Sequence, residues 1–247
     1  MELNEFFNKY KKAAIAFSGG TDSAYLLYEA VKNKADTTAY YVRSEFQPEF
    51  ELKDAERLCM ELGVKLNIIR LDILDFGDIA KNPQDRCYYC KKIIMESIMK
   101  RAKDDGYETI LDGTNASDNS NDRPGMKALE EFSVLSPLKL CRISKEEVRR
   151  RSREAGLFTW NKPAYACLAT RIPFGVSIDK QTLQNIEMAE NEMMKMGFSD
   201  FRVRVFNGAA KIQIRDLQMN MVFERREEIL DKVGRFFDEV FLDLKAR

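Results

Sequence analysis

The sequence predicts an α/β fold in which a doubly wound parallel sheet is followed by a smaller α+β domain. In the first part of the chain, short apolar runs typical of buried strands alternate with segments whose apolar residues recur at helical spacing. After Trp160 the pattern changes: a helix rich in Met and Glu precedes two strands joined by a turn at Asn207-Gly208. We therefore expect one domain over residues 1–168 and a second over residues 169–247.

The first domain contains four predicted strands, each a short run of apolar or β-branched residues. They lie at residues 13–17, 37–42, 66–71 and 109–111. The longer helices predicted between and after them span residues 52–62, 86–103 and 144–155. Gly63 is placed to cap the first of these helices, and Ser144-Lys145-Glu146-Glu147 has the capping-box pattern that opens the last. Sheets of this kind bind ligands at the carboxyl ends of their strands, so we expect the site there.

The second domain is predicted to mix helices and strands. Its helices are expected at residues 183–196 and 224–237, and its strands at residues 201–206, 211–214 and 240–244.

Composition excludes several kinds of chemistry. The 247 residues include 40 Lys plus Arg, 40 Asp plus Glu and no His. Without His the chain can form neither a Ser-His-Asp triad nor a His-ligated zinc or haem site. Proton transfer would have to use a carboxylate, Lys, Tyr or a thiolate. A net charge of zero argues against a broad electrostatic surface for nucleic acid.

No apolar run approaches the length of a membrane span, and the amphipathic, mixed-charge N-terminus lacks the apolar core of a signal peptide. We therefore expect a cytoplasmic protein, in which thiols stay reduced. Its five cysteines, an odd number, then indicate metal ligation, catalysis or burial rather than structural disulfides.

A Gly-rich loop, Ser18-Gly19-Gly20-Thr21-Asp22-Ser23, connects the first predicted strand to a helix. Two glycines let a backbone approach a phosphate closely, and the helix N-terminus offers free N–H groups and a positive dipole end. The loop lacks the Gly-Lys-Ser/Thr of a Walker A motif and the three glycines of the dinucleotide fingerprint. An ordinary turn with Ser and Asp caps is the alternative, but the whole string in this context favours phosphate binding.

Cys87 and Cys90 stand three residues apart at the start of a predicted helix, and Cys167 lies in a loop after Pro163. A zinc site would usually need a fourth ligand. A [4Fe-4S] cluster on three cysteines would leave one iron open, whereas the alternative is unligated thiols or a redox pair. We interpret Cys59 as a buried core thiol and Cys141 as a packing residue.

These motifs resemble known families. The Gly-rich loop resembles the SGGxDS signature of the PP-loop ATP pyrophosphatases. In combination, three further segments resemble the LarE family of ATP-dependent sulfur transferases. They are Arg86-Cys87-Tyr88-Tyr89-Cys90-Lys91, the run from Gly113 to Asp118 with Arg123-Pro124-Gly125, and the run from Ala166 to Gly175.

The resemblance implies a Rossmann-like, adenine nucleotide alpha hydrolase-like fold. It also implies adenylation of a carboxylate of pyridinium-3,5-biscarboxylic acid mononucleotide and its conversion to a thiocarboxylate, in nickel-pincer nucleotide biosynthesis. The implied partners are this small nucleotide and further copies of the chain, while hydropathy and net charge predict neither a membrane nor a nucleic-acid partner. The resemblance does not imply which molecule supplies the enzyme with sulfide.

The resemblance also implies the cofactors and the sulfur chemistry. Mg²⁺ accompanies ATP. Some members of the family sacrifice a cysteine at the position of Cys167, and others hold a [4Fe-4S] cluster on three cysteines. With Cys87, Cys90 and Cys167 this chain resembles the cluster-dependent type.

We expect the following site residues. ATP is expected to contact Ala16, Ser18, Gly19, Gly20, Asp22, Ser23, Val42, Ser44, Gly113 and Thr114, with Asp22 and Cys167 as catalytic residues. Arg202 and Arg204 alternate on one strand and so share a face. A solvated strand face is the alternative for this pair, and the family favours a role in binding the anionic substrate, together with Arg171 and Glu190.

Three positions depart from the family pattern. Ser117 and Asn121 stand where the family often has Asp, and Gln213 stands where it commonly has Glu. The last change weakens the transfer of C-terminal substrate contacts. Other readings stay open: a tRNA-thiolating PP-loop enzyme, an ammonia-dependent PP-loop amidotransferase and a non-catalytic nucleotide-binding regulator. The basic run from Arg149 to Arg153 is interpreted as a solvated helix face.

Overall fold

The computed structural model describes residues 1–118 and 124–247, so Asn121 and Arg123 lie outside the described residues. The chain divides into two compact units. The first comprises Met1–Ser44, Glu49–Leu71 and Asp85–Lys162, and the second comprises Glu45–Pro48, Asp72–Gln84 and Pro163–Arg247. Two short segments from the first half of the chain thus belong to the second unit, which the division expected after residue 168 did not assign to it.

A four-stranded parallel sheet forms the centre of the first unit, as predicted. Its strands are β1 (Lys12–Ala16), β2 (Asp36–Arg43), β3 (Leu66–Arg70) and β4 (Ile110–Asp112), in the order β3-β2-β1-β4. The chain builds outward from β1 through β2 to β3 and then returns to place β4 on the other side of β1. The strand order therefore reverses between β1 and β4, and the carboxyl ends of these two strands are the expected ligand site.

Helices cover both faces of the sheet because side chains of a strand alternate between its faces. On one face, Ala13 and Ile15 pack in a buried cluster; on the other, Ala14 joins Met95 and Ile98. The helices of this unit are α1 (Leu3–Lys9), α2 (Thr21–Lys32), α3 (Glu49–Leu62), α5 (Arg86–Asp104), α6 (Pro124–Glu131), α7 (Pro137–Leu140) and α8 (Lys145–Glu154). Helix α4 (Gly77–Ala80) belongs to the second unit.

The predicted helix ends are confirmed where a local signal marks them. Gly63 has a φ of +66°, the left-handed conformation that closes α3. The Ser144 hydroxyl oxygen accepts the Glu147 N–H at 3.2 Å and opens α8.

The second unit contains α9 (Lys180–Lys195) and a three-stranded sheet. Strand β5 (Arg202–Phe206) pairs antiparallel with β6 (Ala209–Gln213), which pairs parallel with β7 (Val240–Leu242). Asn207 and Gly208 both have positive φ, the backbone that a tight hairpin needs.

The helix predicted over residues 224–237 is wrong in its extent. Two helices, α10 (Met219–Glu224) and α11 (Arg226–Val233), are separated at Arg225, and Gly234 ends the second. Within the part of the chain that the structure describes, no helix has both the length and the apolar character needed to cross a lipid bilayer.

Candidate active site

The Gly-rich loop joins the end of β1 to the start of α2 and turns sharply at Gly19. Gly19 has a φ of +71°, and a Cβ at this position would lie 3.0 Å from the Glu51 carbonyl oxygen. Only glycine fits such a position without strain. Gly20 is the N-cap of α2 and has no side chain to cap it, so the first-turn N–H groups face the loop. This arrangement suits an anion.

Hydroxyl groups hold the loop in shape. The Ser18 and Ser23 hydroxyl oxygens lie 3.1 Å apart, and the Ser23 hydroxyl donates to the Gly20 carbonyl oxygen at 3.2 Å. The Gly20 N–H donates to the Ser18 hydroxyl oxygen at 3.4 Å. These long bonds between rotatable hydroxyls are well suited to exchange for bonds to a phosphate.

The loop after β4 comes directly against the first turn of α2. A Cβ on Gly113 would lie 2.7 Å from the Ser23 amide nitrogen, so only a glycine permits this approach. Next to it, the buried Asp112 carboxylate accepts the Thr114 hydroxyl at 2.5 Å and the Ser136 hydroxyl at 2.6 Å. The two segments expected to contact ATP phosphates and ribose are therefore neighbours at the switch point of the sheet.

The residues expected near adenine lie along the same edge. Ala16 is the last residue of β1 and is in register with Tyr40 and Asp112. Val42 is near the end of β2, and the buried Ser44 follows that strand. All ten predicted ATP residues thus lie at or near the carboxyl edge of the parallel sheet.

Two residues that the sequence did not single out, Lys145 and Asn115, bind Asp22. The Lys145 ammonium lies 2.6 Å from Asp22 Oδ2, and the Asn115 amide donates to Asp22 Oδ1 at 3.3 Å. Lys145 also donates its backbone N–H to the Ser117 hydroxyl oxygen at 3.0 Å. Asp22 therefore fixes the Gly-rich loop to the start of α8. A loop without any Lys or Arg acquires a cation in this way.

Lys162 is a second cation on the loop. Its ammonium donates to the Gly19 carbonyl oxygen at 3.2 Å and lies 2.7 Å from Asp54 Oδ2. No local signal could reveal Lys145 or Lys162, because they lie 123 and 143 positions from their loop partners.

In the second unit, a buried ion pair supports the segment that carries Cys167. The Arg171 guanidinium is fully buried and binds the Glu190 carboxylate with two bonds, of 2.9 Å and 3.1 Å. Its remaining nitrogen donates to the carbonyl oxygens of Ala166 at 2.7 Å and Cys167 at 3.3 Å. Burial lowers the pKa of Arg171, but the hydrogen bond and charge of Glu190 outweigh burial and raise it. Arg171 and Glu190 thus hold the Cys167 backbone in place.

Arg202 and Arg204 lie beside this pair. Arg202 is buried, donates to the Ala164 carbonyl oxygen at 2.6 Å and lies over the Tyr165 ring. The half-buried Arg204 donates to the Thr170 carbonyl oxygen at 2.6 Å. Burial, and then the charge of Arg171, lower the pKa of Arg204 and lower that of Arg202 to about 10. Crowded buried cations of this kind favour a bound anion.

As expected, Cys59 is buried, whereas Cys87 is exposed and Cys90, Cys141 and Cys167 are half-buried. Cys87 and Cys90 lie on successive turns at the start of α5, and Cys167 lies at the start of a 3-10 turn in the second unit. Cys59 is 2% exposed inside the core, and burial raises its pKa to about 12. Cys141 packs against the same core, and burial raises its pKa as well.

Whether these thiols fit an iron–sulfur cluster depends on chemistry and on geometry. Soft thiolate ligands at a helix N-terminus are the donors that iron–sulfur sites use. However, among residues 1–118 and 124–247, no three His, Cys, Asp or Glu side chains form a group that could hold a metal ion. The donor types fit a cluster, with Cys87 and Cys90 in the first unit and Cys167 in the second, and we derive no reaction step from it.

Known proteins resemble this chain over most of its length. A functionally uncharacterized protein of Synechocystis sp. is 35% identical over 216 residues, which cover 86% of this chain and 80% of the relative. A Lactiplantibacillus plantarum protein named pyridinium-3,5-bisthiocarboxylic acid mononucleotide synthase is 32% identical over 239 residues, covering 95% and 86%. A Pyrococcus horikoshii protein named tRNA-5-methyluridine(54) 2-sulfurtransferase is 28% identical over 128 residues, covering 49% and 40%. No protein-family model matches the chain.

The likeness to the named synthase spans nearly the whole of both chains, and the tRNA sulfurtransferase shares only part of its length. The predicted α/β fold class, the resemblance and the enzymatic nature of the protein are confirmed. With the Gly-rich loop in place at the switch point of its sheet, the chain belongs to the LarE family, sulfurtransferases of the PP-loop ATP pyrophosphatase superfamily.

Proposed function

We propose that this sulfurtransferase adenylates a carboxylate of pyridinium-3,5-biscarboxylic acid mononucleotide and converts it to a thiocarboxylate, a step in nickel-pincer nucleotide biosynthesis. The observation that carries the proposal is the meeting of Gly113 with the Gly-rich loop at the α2 N-terminus, a phosphate site without a Walker lysine. The name of the Lactiplantibacillus plantarum relative supports the choice of acceptor.

Adenylation is a displacement at phosphorus. A carboxylate oxygen of the substrate attacks the α-phosphorus of ATP. The bond from that phosphorus to the α,β-bridging oxygen breaks, and pyrophosphate leaves with the bonding electrons. The product is an acyl-adenylate, in which AMP has replaced oxide as the leaving group.

The residues around the Gly-rich loop have distinct tasks in this step. The N–H groups at the start of α2 and the hydroxyls of Ser18 and Ser23 bind the phosphates of the leaving pyrophosphate. Lys145 supplies positive charge next to them, since its ammonium already lies 2.6 Å from Asp22. Asp22 is the carboxylate of the loop and would hold Mg²⁺, which would share the negative charge of the phosphates.

Sulfur transfer follows at the acyl carbon. A sulfur nucleophile attacks this carbon, and AMP leaves with the electrons of the acyl C–O bond and with the former carboxylate oxygen. Because a sulfide or thiolate is already anionic, no general base is needed for the attack. The absence of His from the chain is therefore compatible with this chemistry.

The sulfur is proposed to arrive through Cys87, Cys90 and Cys167. When bound to these thiols, a [4Fe-4S] cluster would supply sulfide on its open iron. The alternative donor is Cys167 itself: its thiolate forms a thioester with the substrate, a base removes the Cα proton, and the Cβ–S bond breaks. That route leaves dehydroalanine at residue 167 and consumes the enzyme in one turnover.

The anionic substrate is proposed to bind in the second unit. Arg202 and Arg204 supply charge for its phosphate, and an anion would offset the burial and the neighbouring Arg171 charge that lower their pKa. Arg171 and Glu190 bind each other through two bonds, so their part is to hold the Cys167 segment. Because Arg204 is proposed to bind the substrate phosphate, we expect Arg204→Ala to raise the KM for the biscarboxylate nucleotide more than it lowers kcat.

The test is anaerobic incubation of the purified protein with ATP, Mg²⁺ and the biscarboxylate nucleotide, with the product identified by mass. A thiocarboxylate formed together with AMP and pyrophosphate supports the proposal. AMP and pyrophosphate that form equally well without the nucleotide, or no reaction with it, would contradict it.

Iron content separates the two sulfur sources. An iron-loaded protein that turns over many times and loses this ability in the Cys87→Ser variant supports the cluster. Iron-free protein that still transfers sulfur once, with dehydroalanine at residue 167, shows that Cys167 is the donor and rejects the cluster.

A further inference from the structure

The end of the first unit is fastened to the Gly-rich loop. Residues 159–162, which we call the strap, comprise the last three residues of a short 3-10 segment, Phe158–Asn161, and the residue that follows it. At one end of the strap, the Thr159 carbonyl oxygen accepts the Thr21 hydroxyl at 2.9 Å. At the other end, Lys162 donates to the Gly19 carbonyl oxygen at 3.2 Å. Both ends of the strap therefore contact the segment proposed to bind phosphate.

Lys162 binds more than the loop. Only 13% of its side chain is exposed, and its ammonium lies 2.7 Å from Asp54 Oδ2 and over the Phe50 ring at 5.4 Å. Both partners are on α3, the helix whose Glu51 carbonyl stands 3.0 Å from the position of a Gly19 Cβ. One ammonium thus joins the strap, the loop and α3, in surroundings where a charge–dipole contact is worth more than in water.

Helix α8 holds the strap from the opposite side. The Arg149 guanidinium donates to the carbonyl oxygens of Trp160 at 3.0 Å and Lys162 at 2.9 Å. One turn earlier on the same helix, Lys145 binds Asp22 of the loop. The basic run on α8 was interpreted as a solvated face, and for Arg149 that is wrong, because this side chain is half-buried and fixes the strap.

The strap leads directly to the sulfur-bearing segment. Cys167 follows Lys162 by five residues, and the first of these is Pro163, which restricts the backbone. Five residues span at most roughly 18 Å even when fully extended. Lys162 is therefore the last fixed point of the first unit before the Cys167 segment in the chain.

We propose that Lys162 is a positioning residue that couples the nucleotide loop to the Cys167 segment. It acts by holding the strap, five residues before Cys167 in the chain, on the Gly19 carbonyl and on Asp54. Adenylation needs the loop and the substrate, whereas sulfur transfer also needs the strap. The inference rests on the proposed function and adds to it a residue whose loss separates the two half-reactions.

The experiment compares the wild type with Lys162→Met in a single anaerobic turnover with ATP, Mg²⁺ and the biscarboxylate nucleotide. Thiocarboxylate formed per AMP released is the readout. We expect the ratio to fall about tenfold or more in Lys162→Met, since displacement of a reacting group by about 1 Å can cost 10²-fold in rate. The acyl-adenylate then loses AMP to water instead of to sulfur. A ratio equal to that of the wild type would overturn the inference.

Further variants separate coupling from folding. Lys162→Arg keeps a cation near Asp54 and is expected to recover part of the ratio. Arg149→Met releases the strap from α8 and is expected to lower the ratio as Lys162→Met does, so it carries the test if that variant does not fold. Lys195→Met removes an exposed ammonium that is paired with Glu192 at 2.6 Å and serves as the control with a wild-type ratio.

The failure of this inference is distinct from failure of the proposed function. A wild-type protein that releases no pyrophosphate with the nucleotide contradicts the proposed function, and the inference falls with it. If the wild type forms thiocarboxylate and Lys162→Met and Arg149→Met form as much of it per AMP released, only the inference about Lys162 is overturned, and the proposed function stands.

Discussion

At Gly113 the backbone after β4 comes so close to α2 that a Cβ would lie 2.7 Å from the Ser23 amide nitrogen and 3.0 Å from its Cα. Both neighbours are backbone atoms of a helix that packs in the core, so neither can move aside cheaply. The sequence could mark Gly113 by its place after a strand. It could not reveal this contact, because the partner is 90 positions away in the chain.

Gly113→Ala is therefore expected to push apart the two segments that face the phosphates. We expect ATP affinity to fall about tenfold or more, equivalent to about 1.4 kcal/mol. Isothermal titration with ATP and Mg²⁺ measures this. Gly77→Ala is the matched control, because no neighbouring atom lies within 4 Å of a Cβ there and its φ is not positive. Equal ATP affinities for the two variants would refute this role of Gly113.

Cysteine reactivity tests which thiols are buried and which are accessible to solvent. Cys59 has a pKa raised to about 12 by burial, so at pH 8 only about one molecule in 10⁴ carries the thiolate. Cys87 is exposed on the first turn of α5, so a reagent in solution can reach its sulfur.

With iodoacetamide at pH 8 we expect carbamidomethylation first at Cys87, located by peptide mass. Cys59 should react only after unfolding in guanidinium or as the pH approaches 12. Rapid labelling of Cys59 in the folded protein would contradict its burial in the core.

At the scale of single elements, α8 shows what local patterns can and cannot tell. The cap at Ser144 follows from four consecutive residues, and the structure confirms it. Lys145 binds Asp22, 123 positions away, and Arg149 binds backbone carbonyls of the segment that follows α8, so a basic run on a helix gives no sign of either role. Helix α10 is missing from the prediction, and α11 ends at Val233, before Gly234, although the prediction continues it to residue 237.

Glu147 gives α8 a pH-dependent contribution to stability. Hydrogen bonds from Arg150 and then Arg151 lower the pKa of Glu147 to about 2. Its pKa is thus lower in the folded than in the unfolded chain. The stabilisation is present above the unfolded-state value of 4.5 and is lost as the pH falls from there toward 2.

Glu147→Gln should accordingly lower the free energy of unfolding at pH 7 by less than about 1 kcal/mol, because the pair is near the surface. The difference from the wild type should vanish near pH 2. Urea unfolding at several pH values measures it, with Glu61→Gln on α3 as the comparison. A deficit that persists unchanged at pH 2 would show that another contact is involved.

At the scale of the whole molecule, the order of the sheet places the site. Alternating strands and helices predicted a parallel sheet, and the return of β4 to the far side of β1 makes the switch point at which the Gly-rich loop and Gly113 meet. The sequence pattern predicted these elements because each is locally periodic.

Membership of the two units was not predictable in the same way. Segments Glu45–Pro48 and Asp72–Gln84 belong with the C-terminal part of the chain. Their placement depends on long-range contacts such as the Leu168 N–H donating to the Phe46 carbonyl oxygen at 2.9 Å. The net charge is zero, and the positive side chains proposed to bind anions are concentrated in two places. Lys145 and Lys162 lie at the Gly-rich loop, and a group of arginines lies in the second unit.

The central claim is that the substrate carboxylate itself attacks the α-phosphorus of ATP at the Gly-rich loop and that sulfur then displaces AMP. Labelling both carboxylates of the biscarboxylate nucleotide with ¹⁸O tests it most directly, with the mass of the released AMP as the measurement. The account predicts one ¹⁸O in each AMP formed together with a thiocarboxylate. Unlabelled AMP accompanying that product, or label in pyrophosphate, would contradict it.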